Sequence, residues 1–193
     1  MTYQPGVAGG MGMPSRRGLL RALGAGALLL AARPALAVVA EGRPDRRLHL
    51  HNVNTLETVD LVYYRDGRYD RTALGQLDRF LRDHRTGRST RMDPGLYDFL
   101  HDLQRRVSVD GAEPTKIVSA YRAAETNGAK RRKHERGVAR NSYHLKGQAF
   151  DVVLPDRDVR QVRDVAVALH RGGVGVYPRS HFLHLDVGPD RTW

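Results

Sequence analysis

The chain of 193 residues carries 32 Lys and Arg against 21 Asp and Glu, a formal charge of +11, and contains no cysteine. One domain is expected at that length, and the absence of thiols excludes a disulfide framework, a thiolate metal site and a cysteine nucleophile. The positive balance admits a phosphate-binding role, so the position of the charge along the chain decides its meaning.

Residues 1–37 read as an export signal and not as part of a fold. Ser15-Arg16-Arg17-Gly18-Leu19-Leu20-Arg21 is a twin-arginine sequence opening an apolar run from Gly18 to Ala32, which Gly and Ala interrupt too often for a membrane span. Ala35-Leu36-Ala37 supplies the small residues of a signal-peptidase site, with cleavage after Ala40 as the second option. The expectation is therefore a protein of 38–193 delivered folded to the periplasm or secreted by the twin-arginine pathway, with no transmembrane anchor after cleavage. Loss of Arg16, Arg17, Arg21 and Arg33 lowers the charge to +7, and Arg122 to Arg140 alone holds seven basic and two acidic residues. The charge is thus an address plus one basic stretch, which speaks against a nucleic-acid partner.

Beyond the signal, Leu48-His49-Leu50-His51 alternates at period two and Thr58 to Tyr64 is β-branched and aromatic, with Asp66-Gly67 as a turn. Leu74, Leu77, Phe80 and Leu81 predict a helix running up to Gly87, capped by Asp70 or Thr72. Asp93-Pro94 starts a second helix with Leu96, Phe99, Leu100, Leu103 and Val107 on one face. Lys116 to Tyr121 reads as a strand, Ala123 to Lys133 as a polar helix, Gly137 to Tyr143 as loop and Gln148 to Leu154 as a strand. Asp158 caps a helix through Leu169, which Gly172-Gly173 ends; Val174 to Tyr177 and Phe182 to Val187 are short strands. Strands and helices without regular βαβ alternation predict an α+β fold, a mainly antiparallel sheet with flanking helices. Gly172-Gly173-Val174-Gly175 follows a helix and opens none, so it is no nucleotide fingerprint.

Two residues sit oddly in this pattern. Asp151 interrupts the apolar strand around Phe150 and Val152, where an unpaired carboxylate is costly, and His184 lies between Leu183 and Leu185. With the loop residue His144 they could offer two nitrogens and one oxygen to zinc, leaving a fourth position open. Taken singly, a strand histidine is also compatible with a hydrogen-bonded core residue, and a strand aspartate with an arginine pair.

Ser119-Ala120-Tyr121-Arg122, Ser142-Tyr143-His144 with Gly147, Ala149 and Asp151, and the late His184 together resemble the D-Ala-D-Ala metallopeptidases, in their exported YcbK-like branch. The resemblance runs through the whole of 38–193. It implies a hedgehog/DD-peptidase-like fold, Zn2+ held by His144, Asp151 and His184, and a peptidase acting on the cross-linking peptides of peptidoglycan. The reaction so implied is metal-assisted amide hydrolysis, with Arg122 offsetting charge on the carbonyl oxygen or meeting a substrate carboxylate. Many members of the family carry Glu or Asp three residues before the last zinc histidine; His181 occupies that place here. His181 is the first candidate for general base and Asp186 the second, with Asp186 alternatively orienting His184. Ser142 and Asn127 are candidate substrate-positioning residues, with capping and turn roles as alternatives. Two other readings remain: a non-catalytic binder of zinc and cell-wall peptides, and a secreted basic module for anionic polymers.

Overall fold

The computed structural model describes residues 44–107, 112–133 and 139–193. The signal segment 1–37, its cleavage site and part of the loop expected before Tyr143 lie outside the described residues.

Strand β1 (Arg46–Asn52) pairs antiparallel with β2 (Thr58–Arg65), and a tight turn returns β2 into the two-residue β3 (Arg68–Tyr69). Helix α1 (Arg71–Phe80) starts where the Asp70 carboxylate accepts hydrogen bonds from the amides of Thr72 and Ala73. It stops well short of Gly87. The chain turns instead around Asp83, whose carboxylate accepts the amides of Arg85 and Thr86 and so competes with further helical hydrogen bonding. Helix α2 (Pro94–Arg106) begins as expected, with Asp93 as cap and Pro94 in its first turn. Strand β4 (Thr115–Ser119), the polar helix α3 (Ala124–Arg132), strand β5 (Ala149–Val153) and helix α4 (Val159–Ala168), capped by Asp158, follow. The chain closes with β6 (Gly173–Tyr177), β7 (Phe182–Asp186) and β8 (Arg191–Thr192).

The eight strands form one sheet in the order β3-β2-β1-β4-β5-β7-β6-β8. Only β1 with β4 and β6 with β8 run parallel; the other five pairings are antiparallel, as the sequence predicts. Helices α1, α2 and α4 pack against this sheet. Side chains alternate across a strand, so each row of registered residues belongs to one face. The row Phe150, Leu185 and Val174 is fully buried in the core with Leu96, Phe99, Leu100, Leu103, Val162 and Ala166 from the helices. The intervening row, Ser119, Asp151, His184 and Gly175, lies on the opposite face. Period two therefore explains the odd residues: the same strands that give Phe150 and Leu185 to the core give Asp151 and His184 to the other side. Among the described residues, no helix is long and apolar enough to cross a membrane.

Candidate metal centre

Asp151 and His184 are direct cross-strand partners on β5 and β7. His144 reaches them from a short 3-10 turn, Tyr143–Lys146, that leads into β5. That turn is fixed at both ends. The Ser142 hydroxyl accepts the amide of His144 at 3.4 Å, and Gly147 closes the turn in the left-handed region at φ 68°. A Cβ at Gly147 would lie 2.7 Å from the Arg91 carbonyl oxygen, so both backbone conformation and space require glycine.

One ligand atom from each of His144, Asp151 and His184 lies within 4.8 Å of the others, and all three residues are buried. His144 Nδ1–H donates to the Ala120 carbonyl at 2.6 Å, which leaves Nε2 as a lone-pair donor 3.4 Å from Asp151 Oδ1. His184 presents Nδ1 to Asp151 Oδ1 at 2.9 Å, while its Nε2–H donates to Asp186 Oδ2 at 3.0 Å. Burial lowers the His144 imidazole below its ordinary range, which favours its neutral form. Burial would raise Asp151, but its interactions with His144 and His184 outweigh that and hold the carboxyl well below the usual range. Burial likewise works against protonating His184, and hydrogen bonds to Asp151 and Asp186 overcome it, raising this histidine. Two imidazole nitrogens and one carboxylate oxygen converge, each histidine is tied through its other nitrogen to a carbonyl or carboxylate, and the His184 ring bridges two carboxylates. This donor chemistry fits a zinc-type ion.

Arg122, from the segment after β4, is buried with Nη2 3.8 Å from Asp151 Oδ2. Asn127 Oδ1 accepts from Nη1 and Ser119 Oγ from Nη2, each at 3.3 Å, and the Arg122 amide donates to the His144 carbonyl at 3.1 Å. Asn127 stands behind this guanidinium: it is 4% exposed, its own NH2 donates to the Ala139 carbonyl, and it does not line the cavity above the His144–Asp151–His184 cluster. Ser142 does line that cavity. His181 is exposed at φ 53°, between the short turn Pro178–Ser180 and β7, and is also outside the cavity lining. Asp186 is fully buried. Its oxygens accept from His184, from the Gly188 amide at 2.8 Å and from both terminal nitrogens of Arg191 at 3.0 and 2.6 Å. Although burial would raise this carboxyl, those donors hold it at about 2. Arg191, like Trp193 against the His184 ring at 5.2 Å between centroids, carries no periodic pattern of its own and escaped the reading of the sequence.

His144, Asp151 and His184 form the floor of a cavity of about 1170 Å³. Its lining includes the cations Arg85, Arg122, Lys130, Arg160, Arg179 and Arg191, and Asp151 is its one carboxylate among the described residues. Arg85, Arg160 and Arg179 are exposed and make no ion pair among the described residues.

The family model described as peptidoglycan L,D-endopeptidase MepK matches residues 40–193. The chain is 41% identical over 182 residues to the peptidoglycan L,D-endopeptidase MepK of Escherichia coli K12, covering 93% of this chain and 97% of that protein. It is 39% identical over 158 residues to the probable peptidoglycan L,D-endopeptidase MepK of Haemophilus influenzae, 82% of this chain and 83% of that one. No solved structure matches. The α+β sheet, the ordered motifs and these matches agree: the chain belongs to the MepK family of D-Ala-D-Ala metallopeptidase-like peptidases.

Proposed function

We propose that this protein is a zinc-dependent peptidoglycan hydrolase, an endopeptidase that cuts an amide joining an L-configured to a D-configured residue in cell-wall cross-linking peptides. The relatives named above carry that activity in their names. The observation that carries the reading is the convergence of His144, Asp151 and His184 at the floor of a large, cation-lined cavity. An anionic-polymer module needs no such buried donor set; a non-catalytic binder of zinc and cell-wall peptides would share it, and hydrolysis separates the two. The proposed route to the substrate is export through the twin-arginine pathway, on the strength of Ser15 to Arg21 and Ala35-Leu36-Ala37.

Zinc held by these three residues would supply Lewis acidity and a water acidic enough to react near neutral pH. The remaining work falls to the chain itself. Arg122, immobilised by Asn127 and Ser119 next to Asp151, offers a fixed guanidinium edge to the scissile carbonyl oxygen as charge develops there. Asn127 acts through Arg122 and does not itself touch substrate. Asp186 orients His184; with both oxygens engaged by four donors it is poorly placed to accept a proton from water. His181 lies outside the cavity lining, which counts against it as the proton acceptor. Arg85, Arg160 and Arg179, exposed cavity-lining cations with no ion pair among the described residues, favour stem peptides that bear free carboxylates.

Incubation of isolated peptidoglycan with the zinc-loaded protein tests this reading. Release of new muropeptides is expected; intact cross-links in the presence of bound metal would leave a non-catalytic wall-peptide binder.

A further inference from the structure

We propose that Arg191 and Trp193 form a clamp, seated in a trough made by Gly173 and Gly175, that fixes the His184 ring and so sets the affinity of the site for its metal. The inference rests on reading His144, Asp151 and His184 as metal ligands.

On the site face, Gly173 registers with Asp186 and Gly175 with His184. Neither glycine projects a side chain, so a shallow trough runs beside the two residues that matter most. Strand β8 lies along it, pairing parallel to β6 with Arg191 opposite Gly173 and Thr192 opposite Val174. The main chain of Trp193 continues the ladder, its carbonyl accepting the Val176 amide at 3.0 Å. Arg191 and Trp193 flank Thr192 and thus share a face. The fit is close. A Cβ on Gly173 would lie 2.5 Å from both Arg191 Nη1 and Asp186 Oδ2, and one on Gly175 would lie 2.6 Å from Trp193 Nε1. The glycine run that fits no nucleotide motif thereby has a physical reason: close approach of another part of the chain.

Each part of the clamp bears on a ligand. The Arg191 guanidinium makes a two-pronged pair with Asp186, the carboxylate that holds His184 Nε2–H. Its carbon lies 4.9 Å from the Tyr143 ring and 5.0 Å from the Trp193 ring, each measured to the centroid. Tyr143 precedes His144 in the turn, so the same cation braces both histidine segments. Trp193 packs on the His184 ring and is itself held by its indole N–H donating to Tyr177 Oη at 3.1 Å. A carboxylate that steadies a metal-bound imidazole raises its basicity and fixes its rotation, and a buried carboxylate needs a counter-charge to stay in place. A flat guanidinium meets both the two oxygens and the two rings; an ammonium cannot do so at once.

Competition against a chromophoric chelator measures zinc affinity, and the visible spectrum of the cobalt-loaded protein reports ligand geometry. Arg191→Gln should weaken zinc binding by roughly ten- to hundredfold and alter the cobalt spectrum, with Arg191→Lys recovering only part of the loss. Gly175→Ala, which pushes on Trp193 from the other side, should reproduce the effect and serves if Arg191→Gln fails to fold. Folded variants with wild-type zinc affinity and an unchanged cobalt spectrum would overturn the clamp while leaving the peptidase reading intact. A wild-type protein that takes up no metal would overturn both.

Discussion

Asp83 shows how a residue outside the His144–Asp151–His184 cluster shapes the cavity. It is 2% exposed, and its carboxylate gathers the amides of Arg85 at 2.8 Å and Thr86 at 3.3 Å on Oδ1, the amide of Ala123 at 2.8 Å on Oδ2, and the Thr126 hydroxyl. This stitches the turn bearing the cavity residues His84 and Arg85 to the segment after Arg122. Asp83→Asn keeps the shape but sets an NH2 donor against the Ala123 amide. It replaces charge-assisted hydrogen bonds with neutral ones and leaves a buried N–H unpaired, for a combined cost of about 3 kcal/mol. For a domain of this size that lowers Tm by roughly 6–12 °C, read by scanning calorimetry at neutral pH. Burial alone would raise this carboxyl, but the four hydrogen bonds outweigh it and hold it below its ordinary value of 3.8. A depressed folded-state pKa contributes stability that is fully present above the unfolded value and is lost as pH falls through the folded one. The gap between wild type and Asp83→Asn should accordingly narrow on acidification below the ordinary carboxylate range. A Tm change of less than about 1 °C, or a gap that stays constant into acid, would refute the reasoning.

Further outcomes follow from the site. His181→Ala should leave turnover near wild type, whereas Asp186→Asn should cost about ten- to hundredfold in metal affinity or activity; kinetics of both with metal titration decide the matter. Arg85→Gln combined with Arg179→Gln should raise KM for carboxylate-bearing muropeptides with little change in kcat, and high salt should mimic it in the wild type. Gly147→Ala should cost about 1–3 kcal/mol in a urea titration, because the left-handed turn beneath His144 has no room for a Cβ.

Much of this architecture is legible in the residues. The strands around Leu48, Val62, Ile117, Phe150, Val174 and Leu183 formed where alternation or β-branched runs placed them, because a half-buried strand must alternate. Asp70, Asp93 and Asp158 cap the helices that their side-chain chemistry suits. The end of α1 departs from the sequence spacing: Leu81 continues the apolar pattern, but the carboxylate of Asp83 takes the backbone amides that a longer helix would need. Strands β3 and β8 are two residues long and carry no period to detect. Within the site, Asp151 and His184 announced themselves as polar residues in apolar strands. Arg191 and Trp193 did not, since their importance arises from pairing between β6 and β8. The alternation of Gly173 and Gly175 on a strand is the one signal that could have pointed to them.

Metal dependence of cell-wall cleavage tests the central claim most directly. Chromatography of muropeptides released from isolated peptidoglycan should show cross-linked peptides disappearing with wild-type protein carrying one zinc per chain. The products should vanish on chelation, return with added zinc, and be absent with folded His144→Ala. Cleavage that persists after the metal is stripped, or cross-links left intact by the fully loaded protein, would contradict the account.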